Sequence, residues 1–263
     1  MRSIDTAGWA SRVPIPYRVG GWEVIRPIAT GSWASVYEGR RIGEGPDGGG
    51  RGGDLPDRVA LKFLPTGTLT TRQLKHLAEM AARELRLYGA LSHHRLIGFH
   101  ETLVVDDPER PELDGAAVIV MELAAASLAD ALARADGGPV PDAARHIVET
   151  CEGLAYLHAQ GWIHGDLKPS NVLLAADGSV RLADFGLAAE LDGTHAYLPP
   201  GGSFDYMAPE RWDEPLTERG SRIRTASDVW ALGVTAYQLL TGGMPFPGAS
   251  PRARMAHAAQ YAA

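Results

Sequence analysis

The chain has 263 residues, 25 Lys and Arg against 32 Asp and Glu, a formal net charge of -7, and a composition of 45% hydrophobic and 22% charged residues. This is an ordinary globular balance, long enough for one large core or two modest ones, and its acidity argues against sequence-independent binding of DNA or RNA, which needs a basic face. The single cysteine, Cys151, excludes an internal disulfide and a cysteine-based zinc site; with no apolar run of signal-peptide or membrane-spanning length, a reducing, cytoplasmic location is expected.

In chain order, residues 1–20 are mixed, with prolines at 14 and 16, and are expected to form a poorly ordered lead-in. Three strand-like runs follow, "GWEVIRPIA", "SVYEGRR" and "RVALKFL", each rich in β-branched or aromatic residues and bounded by glycine or proline. Between the second and third lies "IGEGPDGGGRGGDLPD", too poor in apolar groups to pack, so residues 42–57 are expected to be a flexible insertion. "LTTRQLKHLAEMAARELRLYGALS" has the apolar repeat of a long helix after threonines that can cap it. The runs "LIGFHETLVV" and "AAVIVMEL" complete an antiparallel sheet of five strands.

Beyond Ala124 the balance shifts to helices, in "SLADALARA", "PDAARHIVETCEGLAYLHAQ" and "TASDVWALGVTAYQLLTG", with short strands "VLLA" and "VRLA" joined by the turn "ADGS". Cys151 lies at helical spacing with Ile147 and Leu154 and is expected to be a small buried core residue. The division predicted is therefore a sheet part over residues 21–123 and a mainly helical part over residues 124–263.

Several short segments carry chemistry. "VALKFL" puts Lys62 in the third strand run, "AARELRLYGALSHH" offers Glu84 on the long helix, and "HGDLKPSN" gathers Asp166, Lys168 and Asn171. "DFG" follows at 184–186, then "GGSFDYMAPE" and "SDVWALGVTAYQLLTGGMPF". Phosphoryl transfer asks for a lysine on the phosphates, oxygen ligands for a hard cation and a carboxylate beside the acceptor hydroxyl. Each has a candidate here.

From Ile28 to about Phe246 these motifs run in the order of the eukaryotic-type serine/threonine protein kinases, which the chain resembles. The resemblance implies an α+β, bilobal fold: an antiparallel five-stranded N-lobe with one long helix, and a mainly helical C-lobe. It implies ATP as the phosphate donor, Mg2+ (or Mn2+) as the metal, and a protein acceptor with Ser or Thr hydroxyls. Asp166 would accept or orient the acceptor hydroxyl and Lys168 would neutralise the γ-phosphate, while Asn171 and Asp184 would bind the metal. Lys62, paired with Glu84, would hold the α- and β-phosphates. Ile28, Gly31, Val36, Ala60, Met121, Glu122, Ala124 and Leu173 would frame the nucleotide, with Trp33 at the loop tip. Ser203 takes the place of the residue that steadies Asp166 and Lys168, and Asp228 that of the aspartate holding the catalytic loop.

The glycine of "HGD" is shared with small-molecule kinases of the aminoglycoside and choline type, but "YMAPE" and "SDVWALG" resemble the protein kinases. Three departures stand out. The phosphate loop reads "ATGSWASV", keeping Gly31 and replacing the outer glycines by Ala29 and Ala34, which restricts the backbone and leaves a catalytically weak interaction module as an alternative. Gly165 stands where most protein kinases have an arginine that receives an activation-loop phosphate, so activity is expected to need no phosphorylation between Leu187 and Met207, where Thr194, Tyr197 and Ser203 carry hydroxyls. Lastly, no residue of "PGASPRARMAHAAQYAA" can be assigned as the arginine partner of Glu210. Because burying an unpaired Glu210 would be costly, a missing C-terminal segment or a partner is expected to cover it, with a C-lobe lacking its last helices. The alanine, arginine and glycine usage suggests a GC-rich bacterial source.

Overall fold

The structure is a computed structural model that describes residues 10–31, 34–42, 55–65, 71–198, 201–212, 214, 215, 217 and 220–260, with side chains in the long helix described from residue 78. Trp33, most of the expected 42–57 insertion and the first nine residues of the lead-in lie outside these. The chain divides into two compact units, Met1–Glu79 with Gly98–Leu123, and Met80–Ile97 with Ala124–Ala263.

The first unit is built on an antiparallel sheet of β1 (Tyr17–Val19), β2 (Trp22–Thr30), β3 (Ser35–Arg41), β4 (Arg58–Phe63), β5 (Phe99–Val104) and β6 (Ala117–Met121), in the order β1-β2-β3-β4-β6-β5. The five strands expected are all present, and β1 adds a sixth at the edge. Strand side chains alternate between faces, and the register shows what each face does. Tyr37 stands opposite Leu61, Leu61 opposite Val120, and Phe63 opposite Val118. These residues join Trp22, Val24 and Val59 in one core cluster, in which Tyr37 and Phe63 meet edge to face with centroids 5.7 Å apart. Each such side chain contributes about 1.5–3 kcal/mol by leaving water.

The lead-in is more ordered than its prolines imply. Val13 and Tyr17 belong to the same core, and the Tyr37 hydroxyl donates to the Ser11 carbonyl at 2.8 Å and accepts from the Val13 N–H at 3.1 Å. A buried phenol needs such partners, and residues 11–13 supply them.

The long helix α1 (Thr71–Ala90) contributes its residues from Met80 to the second unit. There follow β7 (Ala126–Ser127), α2 (Leu128–Ala135), α3 (Ala143–Ala159), β8 (Trp162–Ile163), β9 (Val172–Leu174), β10 (Val180–Leu182), β11 (Ala189–Glu190), β12 (Ala196–Leu198), β13 (Ser221–Ile223), α4 (Thr225–Thr241) and α5 (Pro251–Ala259). Small antiparallel ribbons join β7, β9 and β10, β8 with β11, and β12 with β13. Helix α2 starts at a capping box in which Ser127 and Asp130 satisfy each other's backbone N–H groups. Helix α3 buries Ala143, His146, Thr150, Gly153, Leu154 and Leu157. That stripe leaves Cys151 exposed, against expectation: it sits one residue past Thr150, about 100° around the helix from the inward face.

Helix α4 buries Ser227, Asp228, Ala231, Val234, Thr235 and Leu239. It ends at Gly242, whose φ of +78° and the approach of the Gly137 carbonyl, 2.2 Å from where a Cβ would stand, leave room only for glycine. Nothing among the described residues covers Glu210. Glu210 is exposed, and its Oε1 accepts from the Ser227 hydroxyl at 3.0 Å, so no buried charge is left uncompensated. The arginine of α5 that does form a forked pair, Arg254, grips Asp205 at 2.8 and 2.9 Å.

Candidate active site

In the first unit, Val36 pairs with Lys62, Lys62 with Ile119, and Ala60 with Met121. With period-two alternation these residues stand on the sheet face opposite the core cluster. Ala60, Lys62 and Met121 are all more than nine-tenths buried. An ammonium so placed requires an anionic partner. The β2–β3 register slips at Ile28, between Pro27 and Ala29. Beyond the slip, the Gly31 N–H donates to the Ala34 carbonyl at 2.9 Å. Glu122 is tied back to its own sheet, its N–H donating to the Gly98 carbonyl at 2.7 Å and its carboxylate accepting from the Gly98 N–H at 3.1 Å.

In the second unit the octet "HGDLKPSN" folds into one hydrogen-bonded network. Lys168 Nζ lies 2.7 Å from Asp166 Oδ2 and 2.7 Å from Ser203 Oγ, while the Ser203 N–H donates to Asp166 Oδ1 at 2.9 Å. Both oxygens of Asp166 are thereby aimed, one by a charge and one by a backbone donor. Asn171 Nδ2 donates to the Asp166 carbonyl at 2.9 Å, and its Oδ1 accepts from the Ser170 hydroxyl at 3.4 Å. The Ala183 N–H donates to the Asn171 carbonyl at 3.0 Å, fastening the residue before Asp184 to Asn171.

The loop is anchored from below by Asp228, 1% exposed, whose Oδ2 accepts from the His164 N–H at 2.8 Å and whose Oδ1 accepts from the Gly165 N–H at 2.9 Å. His158 adds a ring N–H at 2.9 Å. His164 accepts from the Asp166 N–H through Nδ1 at 3.4 Å and meets the Ala183 carbonyl through Nε2 at 3.2 Å, so its proton sits on Nε2. That is a structural role.

Asp184 itself takes a left-handed backbone, φ +62°. The following Phe185 is fully buried, edge to face with Tyr88 of α1 at 5.7 Å and beside the His164 ring at 5.4 Å. Tyr88 donates to Glu84 Oε1 at 3.2 Å. Its phenol is held well above its ordinary pKa, first by burial and then by the charges of Glu84 and Asp184, so it remains a donor. The structure therefore brings Glu84 and Asp184 to one tyrosine. Ala124 and Leu173 are half-buried, with Leu173 paired to Arg181 and Ser127.

Asn171 and Asp184 carry an amide and a carboxylate oxygen, the donor type that suits a hard cation. Two contributors escaped the sequence reading. His158 reaches Asp228 across 70 residues, and Arg211, directly after "YMAPE", donates to the Gly165 carbonyl at 3.2 Å. Neither sits inside a recognised motif, so only the fold reveals them.

Residues 22–262 match the sequence model of the protein kinase domain family. The chain is 31% identical over 243 residues to serine/threonine-protein kinase pkn2 of Myxococcus xanthus, covering 89% of this chain and 26% of that protein. It is 31% identical over 256 residues to CBL-interacting protein kinase 4 of Oryza sativa subsp. japonica, covering 92% and 50%. With the probable serine/threonine-protein kinase PknB of Corynebacterium glutamicum the identity is 34% over 200 residues, covering 73% and 29%. The chain thus spans between a quarter and half of the length of these relatives. Among the described residues no helix is long and apolar enough to cross a membrane.

Proposed function

The chain belongs to the protein kinase domain family, and from that premise we propose that it transfers the γ-phosphate of ATP to Ser or Thr hydroxyls of protein substrates. The observation that carries this reading is the Asp166, Lys168, Ser203 and Asn171 network, assembled within hydrogen-bond distance. In the step proposed, the acceptor oxygen attacks the γ-phosphorus and the bond to the β–γ bridging oxygen breaks. ADP leaves, and the hydroxyl proton passes to the Asp166 carboxylate. Lys168 holds that carboxylate in place and presents its remaining N–H to the γ-phosphoryl oxygens. Magnesium, when bound at Asn171 and Asp184, neutralises charge on the phosphates. By resemblance to the family's motifs, Lys62 and Glu84 answer to the residues assigned to the α- and β-phosphates, and Ile28, Gly31, Val36, Ala60, Met121, Glu122, Ala124 and Leu173 to those assigned to the nucleotide. The same reading places the protein in the cytoplasm, where a lone exposed thiol stays reduced.

Activity in this reading needs no phosphate on the activation segment. Two observations support that. Residue 165 could not carry an arginine without strain, because its φ is +80° and a Cβ would stand 2.6 Å from the Leu187 carbonyl oxygen. The segment is also held by backbone, Ala196, Tyr197 and Leu198 pairing with Ile223, Arg222 and Ser221.

A second reading, a nucleotide-binding interaction module, draws on the Gly31 N–H, which is engaged by the Ala34 carbonyl instead of facing a phosphate. Phosphate transfer to a generic basic protein, measured with ATP and magnesium, separates the two. Transfer that falls about 10²–10⁴-fold in Asp166→Asn supports the first; ATP binding without transfer supports the second.

A further inference from the structure

The peptide group joining Gly165 to Asp166 carries the proposed base, and it is held on both sides. Its N–H, that of Asp166, donates to His164 Nδ1. Its carbonyl, that of Gly165, accepts from Arg211 Nη1 at 3.2 Å. One residue earlier, the Gly165 N–H is fixed by Asp228. Arg211 is thus the one side chain of this set that brings a positive charge to the loop.

Its placement is not incidental to a surface. Arg211 ends the short turn Pro209–Arg211 and borders a small cavity together with Gly165, Asp166, Ser203, Met207 and Asp228. A Cβ built on Gly202 would stand 3.7 Å from both Arg211 Nη1 and Asp166 Oδ1, so guanidinium and carboxylate flank the same narrow space. Burial pulls the Arg211 pKa down, and the charges of Asp166, Asp228 and Glu210 offset it. A guanidinium keeps its charge in any such setting. Drawing it out of water toward three carboxylates is explained if the charge is needed there.

We propose that Arg211 is a positioning residue for phosphoryl transfer: a built-in cation that fixes the Gly165–Asp166 peptide and faces the Asp166 carboxylate. It serves in place of an arginine at position 165 that would act only after phosphorylation of the activation segment. This rests on the kinase reading and names the device by which that site is kept ready. The carbonyl contact orients the backbone from which Asp166 projects, and the charge steadies the ionised carboxylate between turnovers.

The test is steady-state kinetics on the full chain, shown to be unphosphorylated by intact mass, with ATP, magnesium and myelin basic protein. Arg211→Met and Arg211→Gln should each lower kcat about 10–100-fold, the range of a misplaced catalytic group, while leaving KM for ATP within twofold. Arg211→Lys, which keeps the charge, should recover at least fivefold over the neutral variants. Should the methionine variant fail to fold, the glutamine variant, with its similar stem and neutral donor, carries the measurement. A neutral, folded variant with kcat within twofold of wild type overturns the proposal, as does a lysine variant no better than glutamine. Absence of transfer by the wild-type chain overturns the kinase reading instead, so the two failures are distinct.

Discussion

Gly165 shows how much one missing side chain can decide. A left-handed backbone costs a non-glycine residue about 1–3 kcal/mol, and here a Cβ would also press on the Leu187 carbonyl and on Leu198 Cδ1, 2.8 Å away. Gly165→Ala should therefore lower stability by at least that amount, read as a fall in melting temperature against wild type; an unchanged melting temperature would mean that the loop relaxes. Asp166→Asn is the complementary case: it keeps the shape but sets one amide donor against Lys168 or the Ser203 N–H, so transfer should fall far more than the melting temperature does. Residue types and spacing made Asp166, Lys168 and Asn171 legible in the sequence, because motifs are local. The exposure of Glu210 and the reach of Arg211 were not, because both depend on contacts made 17 and 46 residues away.

At the scale of elements, strands that alternate β-branched and polar residues could be read directly, whereas β1 could not. Three residues after two prolines carry too little periodicity, and only pairing of Tyr17 with Val24 and of Val19 with Trp22 makes a strand of them. Tyr17 also ties this edge to the loop after β5, its hydroxyl donating to Asp107 at 3.0 Å. Burial, then the bond to Asp107 and its charge, push that phenol up to about 12 from 10.0. Folding therefore protects the proton between those values: the stability it brings is fully present below pH 10 and is lost as pH rises toward 12. Tyr17→Phe should show a shallower loss of stability over that window in denaturant melts; an identical slope would exclude Tyr17 as a contributor. The core of α4 offers a second check. Asp228→Asn replaces one acceptor oxygen by an amide donor facing N–H groups that now have none, at about 1–3 kcal/mol, and kcat should fall with it because the catalytic loop hangs from this carboxylate.

For the whole molecule, composition and motif order suggested a sheet part over 21–123, long helix included, and a helical part after it; the second compact unit, however, takes in Met80–Ile97 as well as Ala124–Ala263. Helix phase was harder to read. Ile147 and Leu154 suggested that Cys151 faces inward, but the inward stripe runs through Thr150 and Gly153, where Gly153 lets the Leu182 side chain approach to 2.8 Å of an added Cβ. Ligand linkage acts on the same scale. ATP with magnesium at about a hundred times its Kd should stabilise the chain by about 2.7 kcal/mol, and Asp184→Asn should remove the part that depends on magnesium while leaving metal-free nucleotide binding in place.

The central claim is that this chain transfers phosphate with Asp166 held ready and without a phosphorylated activation segment. The most direct measurement is the transfer rate of chain verified by mass to carry no phosphate, beside a Thr194→Ala, Tyr197→Phe double variant. Both should transfer at rates within threefold of each other from the first turnover. A lag that ends only when phosphate appears on Thr194 or Tyr197, with no transfer by the double variant, would contradict it.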